Sequence, residues 1–139
     1  MSNWVLSCNP KVYDHAASFK KNGFIDWVTI NKFEDGDIVY IYEVIPPRGR
    51  GAIVYKAKIT KVDLTLDDKT DDHVFWKHGV YPKDYQAYKF SRMKLINEKE
   101  DIYLSLKSLR EHGFTAPQGF AYLLDNKPNL LNFIQSRFN

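Results

Sequence analysis

The sequence predicts an α+β fold, a strongly curved sheet or small β-barrel with short helices at its periphery. Three observations point there. The run Ile38-Val39-Tyr40-Ile41-Tyr42 is β-branched and aromatic throughout, with Ile38, Tyr40 and Tyr42 on one face and Val39 and Ile41 on the other. A strand apolar on both faces belongs in the middle of a sheet. The long stretch Ala52–Val62 alternates Ile53, Tyr55, Ala57 and Ile59 with Val54, Lys56, Lys58 and Thr60, one buried face and one wetter face. Helical patterning, by contrast, comes only in short pieces.

Taken in order, Trp4-Val5-Leu6-Ser7-Cys8 reads as a first strand ended by Asn9-Pro10. Asp14 caps a helix through Lys21 that stops at Asn22-Gly23, with Phe19 on its core side. Trp27 follows in polar company, before the central strand. Glu34-Asp35-Gly36-Asp37 is a turn, because glycine supplies the positive φ that the turn requires. Ile45–Gly51 is a Pro- and Gly-rich loop whose tip carries Arg48 and Arg50. A hairpin end with solubilising charge explains it, and so does a phosphate clamp. Asp67–His73 is acidic but lacks the spacing and central glycine of a calcium loop, so it reads as a solvated loop. Val74-Phe75-Trp76 and Val80-Tyr81-Pro82 are apolar islands that plug against the sheet. Tyr88–Asn97 is a further strand, and Ile102-Tyr103-Leu104 a brief extended piece. Ser105 caps a helix through Glu111 that ends at His112-Gly113. Phe114–Phe120 is a loop, and Pro128 opens a final helix with Leu130, Leu131, Phe133, Ile134 and Phe138 as its apolar stripe.

The chain of 139 residues suits a single domain, residues 1–139, with room for a core. Its net charge of +3 is mildly basic and compatible with phosphate contacts. One cysteine, Cys8, excludes an internal disulfide framework and a Cys-based zinc site. No apolar run has the length of a membrane span and the N-terminus lacks a signal-peptide plan, so a cytoplasmic protein without membrane contact is the expectation.

No nucleotide-binding glycine loop, HExxH motif or GxSxG elbow is present. His15, His73, His78 and His112 are scattered, without metal-ligand spacing, and Cys8 reads as a small buried hydrophobe. The expectation is no catalytic constellation, no metal and no cofactor. What remains is a set of aromatic and small polar residues at strand ends: Ser7, Asn9, Tyr13 and Trp27. Such a set suits a planar heterocycle, rings stacking on its faces and polar groups bonding its edge. Each residue taken alone also suits a structural role.

The arrangement resembles the EVE branch of the PUA-like superfamily, whose relatives include YTH and ASCH domains. The resemblance is carried by Trp4-Val5-Leu6-Ser7 running into Asn9-Pro10, by Trp27 ahead of a polar stretch with Asn31, and by the Gly36-Asp37 turn into the aromatic strand. It spans about the first half of the chain, and the arginine-bearing run that follows the tryptophan segment in the family is absent. It implies a small curved sheet with a pocket for one base, often modified, in DNA or RNA. The implied pocket holds Ser7, Asn9, Trp27 and Asn31, with Tyr13 and Tyr42 as walls. Lys11, Arg48, Arg50, Lys56 and Lys58 are the candidate phosphate contacts. Two rival readings are an ASCH-like enzyme acting on RNA or a modified nucleoside, and a protein-interaction subunit of a defence or restriction system with an effector partner.

Overall fold

The central strand is the place to start. In the computed structural model, which describes residues 1–28, 33–77, 87–115 and 121–138, it is β3 (Ile38–Glu43), and four consecutive residues from Val39 to Tyr42 have no exposed surface. It lies between β1 (Asn3–Cys8), parallel to it, and β4 (Ala52–Leu64), antiparallel to it. Beyond β4 come β5 (Phe90–Glu98) and β2 (Phe24–Val28). On the other side a two-residue strand, β6 (Tyr122–Leu123), pairs with β1. The six-stranded order is β2-β5-β4-β3-β1-β6.

The two faces of β3 anchor two separate cores. Val39 and Ile41 join Leu6, Cys8, Tyr55, Ala57, Ile59, Met93 and Ile25 in an inner cluster that also takes Phe19 of α1 (His15–Asn22). Tyr40 and Tyr42 face outward with Val5 and Ile53 against α2 (Leu106–Glu111) and α3 (Pro128–Phe138), where Leu109, Leu130, Ile134 and Phe138 cover them. The inner cluster runs from β1 to β2 although three strands separate them, so the sheet curls. The curl coincides with breaks in register on both sides of β4, at Ile41/Tyr42 toward β3 and at Lys56/Ala57, Ile59/Lys61 and Lys61/Leu64 toward β5. Extra residues at such bulges increase local twist and bend the strand.

Local signals act as the sequence implies. Asp14 accepts the Ala17 N–H at 3.1 Å, and Gly23 ends α1 in the left-handed region at φ 78°. Gly36 turns at φ 95° into Asp37, whose buried carboxylate accepts from the Ser2 N–H (2.8 Å), the Trp4 indole N–H (3.0 Å) and the Glu34 N–H (3.0 Å). One acid thus ties the N-terminus, the first tryptophan and the turn to the start of β3.

Four readings need correction. Trp27 stands before the central strand but within a strand not expected there, β2, an edge strand hidden in the sequence by Asp26 at its centre. Ile102–Leu104 is one 3-10 turn, because the Asp101 carboxylate accepts the Tyr103 N–H at 2.8 Å and curls the chain. The acidic loop is solvated at Asp67, Asp68, Asp71 and His73, while Lys69 and Asp72 are buried. Tyr122–Leu123 is a strand where only a loop and a helix were expected. The apolar island at residues 80–82 and the loop at 116–120 lie outside the described residues. No described helix is long and apolar enough to cross a membrane.

Removing the Asp37 carboxylate orphans three donors at once. Asp37→Ala is therefore expected to cost about 2–4 kcal/mol in urea unfolding, with Asp37→Asn retaining part of the loss. A variant as stable as the parent would show that this acid is not the tie it looks to be.

Candidate functional site

A cavity of about 230 Å³ opens where the end of β1, the start of α1, β2 and residues 72–76 meet. With about 30 Å³ per water in the liquid, it has room for roughly seven or eight waters, the scale of one heterocycle. Its floor is buried: Cys8, Tyr13, His15, Ile25, Asp26 and Asp72. Asn9, Val12, Trp27, Val28 and Trp76 are partly or fully exposed and form its mouth.

Each wall follows from local structure. Beyond β1 the chain turns tightly, Asn9 O accepting the Val12 and Tyr13 N–H groups at 3.0 and 3.3 Å. The Asn9 side-chain oxygen accepts the Lys11 N–H at 3.0 Å, which leaves its amide N–H₂ as a donor at the mouth. The segment carrying Trp76 is zipped onto this turn: Asp14 N–H donates to Phe75 O (2.8 Å) and Lys77 N–H to Val12 O (2.9 Å). The rings then form a continuous arc. Trp27 stacks on His15 at 5.1 Å and 26°, His15 meets Tyr13 at 4.9 Å, and Tyr13 meets the edge of Trp76 at 5.1 Å and 75°.

Behind the arc lie buried charges. The Asp26 carboxylate accepts from Arg92 Nε (2.8 Å) and a second guanidinium nitrogen (3.0 Å), and from the Thr70 N–H (2.8 Å). Asp72 accepts from Lys69 Nζ (2.8 Å) and from the Tyr13 hydroxyl (2.9 Å), which in turn shares a hydrogen bond with Ser18. Burial pushes the His15 imidazole down to about 4, partly offset by the Glu43 and Asp14 carboxylates and the Tyr13 carbonyl, so it is neutral at pH 7. Burial also pushes the Cys8 thiol far up, Glu43 adding to the effect and Arg50 opposing it, so no thiolate is on hand for nucleophilic chemistry. Among the described residues no group of three His, Cys, Asp or Glu could hold a metal.

The structure brings Ser7, Asn9, Tyr13 and Trp27 to this cavity. Tyr42 is not there: it lies on the outer face, fully buried beside Phe114 at 6.2 Å. Asn31 lies outside the described residues. Of the cations, Lys11 is exposed on the turn between two mouth residues, and Arg48 is exposed in the loop after β3, at the end of the sheet where β1 also ends. Arg50 is engaged elsewhere. It grips both oxygens of buried Glu43 at 2.9 and 3.0 Å and reaches Glu100 at 2.6 Å, closing the 45–51 loop. Lys56 and Lys58 stand on the outer face, alternate to Tyr55, Ala57 and Ile59, with Lys56 Nζ 6.0 Å from the Tyr40 ring. His15 and Trp76 were not singled out as site residues. His15 has the form of an ordinary first-turn helix residue, and Trp76 that of a plug.

No family model and no curated protein matches the chain by sequence. By structure, its fold is the PUA-like one shared by ASCH domains and their relatives. A mutant form of the ASCH protein of Zymomonas mobilis superposes with a TM-score of 0.64 at 13% identity, covering 100% of both chains. A protein from Pseudomonas putida gives 0.64 at 13%, covering 97% of this chain and 98% of its own. Human THYN1, in a complex with DNA containing 5-methylcytosine, gives 0.62 at 12%, covering 99% and 97%.

The His15 environment makes a pH prediction. The unfolded chain titrates this imidazole near 6.5 and the folded chain near 4, so below pH 6.5 the unfolded state binds more protons and stability falls as pH drops toward 4. His15→Phe, which keeps a ring against Trp27, is expected to remove about 3 kcal/mol of that loss, read as the difference between the two proteins' urea stabilities at pH 7 and pH 4. Parallel pH profiles for parent and variant would contradict the buried, neutral assignment.

Proposed function

We propose that this chain is a nucleic-acid-binding module that takes one base, modified bases included, out of its strand and into the cavity between Trp27, Tyr13 and Trp76. The observation that carries this reading is the arc of four aromatic rings around a hollow of heterocycle size. His15 covers one face of the Trp27 indole, and the indole remains half-buried at the mouth. Stacking contributes about 1–3 kcal/mol per base, enough to offset much of the unstacking cost of a flipped or single-stranded base. The Asn9 amide N–H₂ is placed to donate to the base edge. Lys11 and Arg48, at the same end of the sheet, are the phosphate contacts we carry forward. Human THYN1, with the same fold, is described in complex with 5-methylcytosine DNA, which supports the class of ligand.

The test is binding of single-stranded DNA and RNA oligonucleotides with one central modified base. Trp27→Ala is expected to weaken binding by about 5- to 150-fold, the loss of one stacking contact, while the urea midpoint stays near that of the parent. Tyr42→Phe, on the outer face, is expected to leave binding unchanged. An unfolded Trp27→Ala variant, or one that binds undiminished, would sink the assignment of this ring.

A further inference from the structure

We infer that the cavity selects uncharged heterocycles over cationic ones, because both carboxylates described at its floor, Asp26 and Asp72, are already committed to cations of the chain itself. This rests on the base-binding reading above. An aromatic arc alone favours a cation, since ring faces attract positive charge. Whether a cationic ligand is accepted then depends on a carboxylate being free to replace the water it gives up. None is free here. Asp26, its side chain fully buried, is held in a two-point grip by Arg92 and capped by the Thr70 N–H. Asp72, with its side chain 1% exposed, is held by Lys69 at 2.8 Å, itself 2% exposed, and by the Tyr13 hydroxyl. Glu43, a further buried acid, pairs in register with Cys8 behind the floor and is gripped by Arg50.

The cations are as firmly placed as the acids. Lys69 Nζ also donates to Thr70 O at 2.7 Å, and the Arg92 guanidinium lies 4.1 Å from the centre of the Phe24 ring. A positive ligand entering the arc would lose its hydration, find no anion, and meet Lys69 and Arg92 just behind the wall. His15 is uncharged at neutral pH, and an imidazole carries no negative charge in either of its states. What the site does offer is ring faces, the Asn9 donor, and apolar flanks at Val12, Ile25 and Val28, which suit a neutral base bearing a small alkyl group.

The experiment uses two oligonucleotides of one sequence that differ only in the isomer of a central methylcytosine. 5-Methylcytosine is neutral at pH 7.5 and 3-methylcytosine is cationic. The parent protein is expected to bind the neutral isomer at least about tenfold more tightly. Lys69→Met, which releases the Asp72 carboxylate, should shrink that ratio about tenfold by gaining affinity for the cationic isomer. That second arm separates charge from shape, because a methyl group that merely blocks the base edge would discriminate equally in both proteins. Should Lys69→Met fail to fold, Arg92→Gln releases Asp26 to the same end. Equal or tighter binding of the cationic isomer by the parent overturns the inference, as does an unchanged ratio in a folded variant. If neither isomer outbinds an oligonucleotide with an abasic site at that position, the base-binding reading fails and takes this inference with it.

Discussion

Everything at the cavity depends on the sheet closing on itself. From β1 to β2 there are four steps across the sheet, which in a flat sheet would set the two strands roughly 19 Å apart at ~4.8 Å per step. Yet Cys8 and Trp27 line one hollow of about 230 Å³. The bend is made on β4, where three register breaks toward β5 and one toward β3 let a strand of thirteen residues serve both halves of the curl. Asp63, at φ 57° within the last of those breaks, is the kind of residue that tolerates this conformation. Without the curl, Trp27 would be an edge-strand indole with nothing opposite it.

Closure alone leaves one side of the hollow open, and residues 69–77 fill it. This segment is held largely by polar contacts. Lys69 and Asp72 pair in the interior, Asp72 reaches Tyr13, and Thr70 caps Asp26. Buried ion pairs contribute little net stability, because desolvation offsets most of the attraction, but breaking one leaves a lone charge and is costly. They therefore fix one geometry more than they strengthen the fold. Trp76 is set by that geometry, and the same segment engages both carboxylates described at the cavity floor.

How much of this was readable in advance depended on whether a residue's role is local. The β3 strand, the Gly36 turn, the Asp14 cap and the Pro128 helix start are written in nearest neighbours, and they stand where the pattern put them. β2 was hidden because an acid in mid-strand reads as loop, and it takes Arg92 and Thr70, 66 and 44 residues away, to make Asp26 acceptable in the interior. Lys69 and Asp72 looked solvated for the same reason. Tyr42 is the instructive case. Its shared face with Tyr40 was visible from parity, but which face of the sheet would be roofed by α3 and which hollowed is decided by contacts between distant segments.

Parity also bears on how β1 serves the site. Leu6 and Cys8 point into the inner cluster and Val5 into the outer one, which places the Ser7 side chain outward beside its register partner Tyr42. Both hydroxyls are buried and, among the described residues, neither has a hydrogen-bond partner. Ser7 therefore lines the cavity by its position at the strand's end, with its hydroxyl turned to the other side. A strand can present only alternate side chains to one ligand, and here the inward ones are apolar. In the proposed mode of binding, recognition of a polar edge falls to the first residue freed from the alternation. That residue is Asn9, whose own turn occupies its side-chain oxygen and leaves its N–H₂ at the mouth of the cavity.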